Sequence, residues 1–127
     1  MRPVTLKAPI LGLVLTMAAG TLWAQDPVKV APKNFRVLLE NDQVRVLDFH
    51  AAGEKIPMHS HPSYVSYSVA GAGKTKFTSP DGKVTEAPAT TGQATWHEAE
   101  THASQYEGKG ETHVILIELK TQAKPKP

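Results

Sequence analysis

Apolar and polar residues alternate in short runs between residues 35 and 120, and turn signals interrupt the runs. In Val65–Ala70, for example, valine and tyrosine alternate with serine, so that each type occupies one face of an extended chain. The predicted strands are Phe35–Glu40, Val44–Phe49, Val65–Ala70, Lys74–Ser79, Lys83–Ala87, Gln93–His97, His102–Tyr106 and His113–Leu119. Strands at intervals of roughly 8–12 residues, without a helical period, predict an all-β sandwich or barrel.

The N-terminal segment that precedes these strands predicts an exported chain. Arg2 and Lys7 precede a short apolar run, Ile10–Ala19, and small residues end at Ala24. This order is typical of a secretory signal peptide, and the apolar run is about half of the roughly 20 residues that span a bilayer. We therefore expect a signal peptide over 1–24, an extended lead-in over 25–34, a β-barrel over 35–120 and a disordered tail over 121–127. The expected location is periplasmic or secreted, with no stable membrane span after processing.

Charge and cysteine content narrow the function classes. The formal charge of +2 arises from Arg2 and Lys7, which belong to the predicted signal peptide. The mature domain is therefore expected to be neutral, which argues against nucleic acid or an anionic membrane as its main partner, because both require a basic patch. The chain contains no cysteine, which excludes thiol catalysis and thiolate metal ligation.

The segment His59-Ser60-His61 is the clearest candidate for a chemical site. In an extended chain, residues two apart point to the same side, with Cα atoms about 6.5 Å apart. Two imidazoles at that spacing can bind one metal ion, each at about 2 Å. A further ligand must come from elsewhere, and the remaining histidines are His50, His97, His102 and His113. A polar loop with two exposed histidines is the alternative interpretation.

The surroundings of this pair resemble the two motifs of the cupin superfamily. The similar residues are Gly53, His59, His61 and Gly71 in the first motif, and Gly92, Trp96, Ala99 and His102 in the second. The Asp81-Gly82 hairpin lies between the motifs, as cupins usually have. The resemblance covers about residues 43–119. It implies a single antiparallel cupin or jelly-roll barrel, and it maps His59, His61 and His102 onto three metal-binding histidines.

The chain departs from the cupin pattern at two points. Val65 and Ser66 stand where a glutamate ligand usually follows the second histidine, and Tyr106 replaces an asparagine after the last one. The resemblance thus implies a neutral three-histidine site with an open fourth position, which is typical of a catalytic metal and also of a weakened site. Imidazole ligands favour a divalent transition metal, with Zn, Fe or Cu as candidates.

Other residues near the second motif have both a functional and a structural interpretation. His97 is a candidate fourth ligand, or a base near the metal, and a histidine satisfied by backbone or solvent at a strand end is the alternative. Glu98, Glu100 and Glu107 can orient a metal-bound imidazole, or they can lie in solvent.

Four aromatic residues, Tyr64, Tyr67, Phe77 and Trp96, are expected to line a small-molecule pocket in the barrel mouth, with core packing as the alternative. His50 and His113 are interpreted as ordinary polar residues at strand ends.

Three functions remain open from the sequence. The first is a metal-dependent enzyme, such as a dioxygenase, isomerase or lyase, that acts on a small molecule. The second is a module that binds a small ligand or a metal without turnover, and the third is a structural cupin whose site has lapsed. Fold resemblance cannot choose among them, because one fold carries many functions. The apolar last strand and the N-terminal strand also predict a homodimer.

Overall fold

The computed structural model describes Pro3, Val4 and residues 25–120. The predicted signal peptide, apart from Pro3 and Val4, and the predicted tail lie outside these residues. Within them the chain forms one short helix and nine strands. The elements are α1 (Pro27–Val30), β1 (Phe35–Glu40), β2 (Val44–Ala51), β3 (Lys55–His61), β4 (Tyr64–Ala70), β5 (Lys74–Thr78), β6 (Val84–Pro88), β7 (Ala94–His97), β8 (Glu100–Glu107) and β9 (Thr112–Leu119).

Two antiparallel sheets build the barrel. One sheet has the strand order β1-β2-β9-β4-β7, and the other has the order β3-β8-β5-β6. The Asp81-Gly82 turn joins β5 to β6 as predicted, and Gly82 adopts a φ of 85°, which a glycine reaches without a steric penalty. The all-β antiparallel barrel expected from the strand spacing is confirmed.

The structure corrects the expected extended lead-in over residues 25–34. Pro27–Val30 forms the single turn of α1, because the Asp26 side chain accepts a hydrogen bond from the Val28 amide at 2.9 Å and Pro27 occupies the first turn. Strand β3, which is absent from the predicted set, contains Pro57. A proline is tolerated there because β3 is an edge strand.

The hydrophobic core lies between the two sheets. Phe35, Leu47 and Leu116 from the larger sheet pack with Ile56 from β3, and Leu47 is 0% exposed. In β2 and β9 the inward residues alternate with outward ones, as the period of a strand requires. The same alternation aims polar side chains of neighbouring strands into the barrel, next to the core.

The described residues include no helix that is long and apolar enough to cross a membrane. The outer face of the larger sheet exposes Tyr67, Val69 and Trp96. The homodimer expected from the sequence stays a prediction.

The Leu47→Ala variant is expected to lower the free energy of unfolding by about 2–5 kcal/mol, because it leaves a cavity in the core. Val84→Ala is the matched control, since Val84 is 54% exposed in β6. The control should change the free energy by no more than about 0.5 kcal/mol. Urea denaturation followed by circular dichroism measures the free energy of unfolding of both variants. Equal losses of this free energy in the two variants would contradict the position of Leu47 in the centre of the core.

Candidate metal centre

Strands β3 and β8 bring three histidines together inside the barrel. His59 lies directly opposite His102 in the strand register, and His61 follows on the same face of β3. Their ring centroids are 4.8–5.4 Å apart. All three residues are buried, and one candidate ligand atom from each lies within 4.8 Å of the others. The structure thus places His59, His61 and His102, the three histidines singled out in the sequence, in one cluster.

Each of these imidazoles has an acceptor for its Nδ1 proton. His59 Nδ1 donates to the Pro57 carbonyl at 2.7 Å and His61 Nδ1 to Glu118 at 2.7 Å. His102 Nδ1 lies 3.3 Å from the Glu100 carboxylate. With Nδ1 protonated, each ring keeps its Nε2 lone pair free as a metal ligand. This donor set fits a divalent transition metal.

The acceptor for His59 arises from an irregularity in β3. The register between β3 and β8 shifts between Ile56 and His59. Pro57 lies within this β-bulge, and its carbonyl oxygen accepts the bond from His59. Bulges of this kind re-aim a side chain while the strand continues. Burial lowers the pKa of His59 to about 4, so the ring is neutral at pH 7.

Glu118 is the functional residue that sequence reasoning missed. Its side chain is buried, and it accepts from Arg45 Nε at 2.7 Å as well as from His61. Arg45 in turn pairs with Asp26 at 2.7 Å, which joins the cap of α1 to the site. The available signal was the alternation of β9, because Val114, Leu116 and Glu118 share the inward face.

Glu100 anchors a second group of polar side chains beside the cluster. Its carboxylate accepts from the Tyr64 hydroxyl at 2.5 Å and lies near His102. Burial would raise the pKa of Glu100, but its hydrogen bonds with His102 and Tyr64 lower that pKa to about 2. The carboxylate is therefore ionised at pH 7. Of the three glutamates near the second motif, Glu100 is the one with a contact to the cluster.

His97 lies in the wall of the same cavity and outside the three-histidine cluster. Its Nε2 is 2.8 Å from Ser66 Oγ, and its ring stacks on Tyr64 with centroids 4.3 Å apart. Its Nδ1 lies 3.8 Å from Glu100. Burial lowers the pKa of His97, which favours a neutral ring. The geometry therefore suits a proton acceptor beside the cluster better than a fourth ligand.

A cavity of about 170 Å³ borders the cluster. Phe35, Phe49 and Phe77 are among its lining residues, and most of the surface that the lining presents is apolar. Hydroxyl groups of serine and threonine line it as well, and Ser68 Oγ is buried without a hydrogen-bond partner among the described residues. Lysine, arginine, aspartate and glutamate are absent from the described lining.

Two of the four aromatic residues expected in the pocket line the cavity, and the other two lie on the outer face of the larger sheet. Tyr64 and Phe77 line the cavity, and the Phe77 ring lies 4.9 Å from that of His102. Tyr67 and Trp96 do not line it, because they are 44% and 51% exposed on the outer face. The expectation for these two residues is corrected by strand alternation, which turns Ser66 and His97 inward instead.

The two-sheet barrel and its inward histidine cluster define the chain as a small cupin-type domain by fold. Its fold is similar to that of a cupin domain from Bordetella pertussis Tohama I, with a TM-score of 0.62 at 22% identity. That match covers 68% of this chain and 92% of the other. No protein-family model and no curated protein matches the sequence.

Two further solved structures share the fold. One is a conserved protein with a double-stranded β-helix domain from Klebsiella pneumoniae, with a TM-score of 0.53 and 20% identity over 72% of this chain and 76% of the other. The other is an RmlC-like cupin from Methanocaldococcus jannaschii, with a TM-score of 0.51 and 16% identity over 67% and 77%. At these identities the likeness establishes the fold, while function must be argued from the site.

Glu100→Gln is expected to weaken metal binding by about 10–100-fold, because it removes the charge that orients His102. Glu98→Gln is the matched control, since Glu98 lies two residues away, is exposed and bonds to Trp96. Competition with a chromophoric chelator measures both affinities. Equal affinities for the two variants would contradict the orienting role of Glu100.

Proposed function

We propose that the protein is an exported metal-dependent enzyme that converts a small, mostly apolar molecule bound in the barrel. The observation that carries this proposal is the three-histidine cluster, whose Nδ1 atoms are all engaged and whose Nε2 atoms remain for a metal at the edge of a cavity. An ion with three protein ligands and an open position is the usual arrangement of a catalytic site.

The cavity lining supports an uncharged ligand with one or a few polar groups. Phe35, Phe49 and Phe77 offer apolar surface, and the described lining has no lysine or arginine that would form an ion pair with a phosphate or carboxylate. Serine and threonine hydroxyl groups in the lining can bond to a polar group of the ligand.

The residues around the cavity can support proton transfer. A divalent ion held by His59, His61 and His102 would supply Lewis-acid chemistry. A neutral His97 accepts the proton of the Ser66 hydroxyl at Nε2, and Ser66 takes a proton from a ligand or from water in exchange. Glu100, near His97 Nδ1, stabilises the imidazolium that forms. Buried Tyr64 packs against His97 and fixes the orientation of its ring.

A binding module without turnover is the second candidate function. The feature that favours it is the lining itself, in which the described residues place no carboxylate. In that case the same three histidines hold a metal, and the cavity captures a small ligand on it. The two candidates differ in whether bound ligand is chemically changed.

Export is supported by the charge and apolar pattern of residues 1–24. The structure also shows how Gln25, the first residue after the expected cut, is held. The Gln25 carbonyl accepts from the Ser60 amide at 2.8 Å, and its side chain accepts from Ser60 Oγ at 2.9 Å. Cleavage after Ala24 therefore leaves a first residue that is bonded to β3. We place the processed protein in the periplasm or outside the cell.

Protein purified without an affinity tag is expected to contain a transition metal that is lost from the interior site in His61→Ala. His97→Ala is the control, because His97 lies outside the ligand cluster and should keep that metal. Elemental analysis combined with chelator titration measures the content. Metal-free protein whose melting temperature does not respond to Zn²⁺, Fe²⁺ or Cu²⁺ would contradict the proposal.

The Co²⁺-loaded protein is expected to change its visible absorption spectrum when azide is added, because an open coordination position accepts a small anion. An unchanged spectrum would indicate a closed, structural site and would remove both candidate functions.

Oxygen consumption, or conversion of a small neutral compound, in proportion to the bound metal would distinguish the enzyme from the binding module. The His97→Gln variant should slow such conversion by about 10²–10⁴-fold while it retains the metal.

A further inference from the structure

A second cluster of histidine and carboxylate groups lies on the opposite face of the larger sheet. Asp48 and His50 are in β2, and His113 lies opposite His50 in the register of β2 and β9. Their inward neighbours, such as Phe49 and Val114, line the cavity, so the cluster itself faces outward. One candidate ligand atom from each of the three residues lies within 4.8 Å of the others.

The contacts of this outer cluster converge on Asp48, which is only 7% exposed. One oxygen of the Asp48 carboxylate is 2.5 Å from His113 Nε2, and the other is 3.3 Å from His50 Nε2. Glu111 contacts His50 Nδ1 on the far side of the ring. Two imidazole nitrogens and a carboxylate thus meet at one place, with a second carboxylate behind one imidazole.

The geometry of the outer cluster places ligand atoms of three residues around one point. The His50 and His113 rings are stacked with centroids 4.0 Å apart, and the Nε2 atoms of both rings lie next to the Asp48 carboxylate. Arg36 also contacts the Asp48 oxygen that faces His50, at 3.1 Å. Two imidazole nitrogens and one carboxylate are a donor set that a divalent transition metal can bind.

We propose that Asp48, His50 and His113 form a surface site for a divalent transition metal such as Zn²⁺, separate from the interior three-histidine cluster. Imidazole and carboxylate donors suit Zn, Cu, Ni or Co. Glu111 is the outer carboxylate that orients His50 through Nδ1, which is the usual support for a ligating histidine. Binding requires His113 Nε2 to release the proton that it donates to Asp48, and both rings must leave their stacked arrangement for the two Nε2 lone pairs to converge.

The outer cluster is open to an ion from solvent, and one cation, the Arg36 side chain, competes with that ion for Asp48. Asp48 and His50 border an open surface depression that Lys33 and Arg36 also line. Arg36 pairs with Asp48 at 3.1 Å, but its side chain is 75% exposed. The guanidinium end of this pair lies mostly in solvent although Asp48 is buried, so a divalent metal ion can replace the guanidinium at the carboxylate. This proposal is independent of the function proposed for the interior site.

Zn²⁺ titration by calorimetry at pH 7.5 in a His61→Ala background tests the outer site, because that background lacks an interior ligand. One equivalent is expected to bind. Adding His113→Gln should weaken that binding by more than about tenfold, since even loss of an orienting partner of a ligand costs 10–100-fold. Adding Arg36→Gln should tighten it by about two- to fivefold, because a competing cation is removed. Lys33→Gln is the matched control and should leave the affinity unchanged.

A measurement on the unmodified protein keeps the test valid if His61→Ala fails to fold. Co²⁺ added to isotope-labelled protein should broaden the amide signals of residues 48–50 and 111–113, apart from any broadening near residues 59–61. Broadening confined to residues 59–61 and 100–102 would overturn the proposal. So would a His61→Ala protein that binds no Zn²⁺, or an equal affinity in the Arg36→Gln and Lys33→Gln variants.

Discussion

The buried carboxylate of Glu118 is the interaction that ties the two sheets to the interior site. Glu118 belongs to β9, at the centre of the larger sheet, while its partner His61 belongs to the edge strand of the other sheet. A buried charge is costly unless it is paired and hydrogen-bonded. Arg45 supplies the pairing charge, and Asp26 supports Arg45 from the cap of α1. The short helix, both sheets and one candidate metal ligand, His61, are therefore coupled through a single side chain.

Strands β2 and β9 contribute side chains to both faces of the larger sheet. Their inward residues, such as Leu47 and Leu116, form the core, and Glu118 supports the interior cluster. Their outward residues His50 and His113 meet on the other side of the same sheet. Because successive side chains of a strand point to opposite faces, neighbouring positions in the sequence contribute to sites that do not touch.

Much of the fold and part of the site could be predicted because they depend on local patterns. The turn at Asp81-Gly82 and the alternation of strands such as Val65–Ala70 are properties of short segments. The spacing of His59 and His61 likewise predicts a shared face wherever the chain is extended. The α1 turn was not predicted, because a four-residue helix is too short to show a helical period. Tyr67 and Trp96 were assigned to the pocket although their strands turn them outward.

The sequence by itself determined the β-rich barrel, its turns and the His59–His61 pair, because these depend on residues close together in the chain. Only the tertiary structure decided which partners complete the sites. Glu118 is 57 residues from His61 and His113 is 65 from Asp48, so their contacts depend on strand order and register. A shift of one residue in register would turn each of these side chains to the other face. Long-range pairing therefore decides which of the chain's histidines and carboxylates act together.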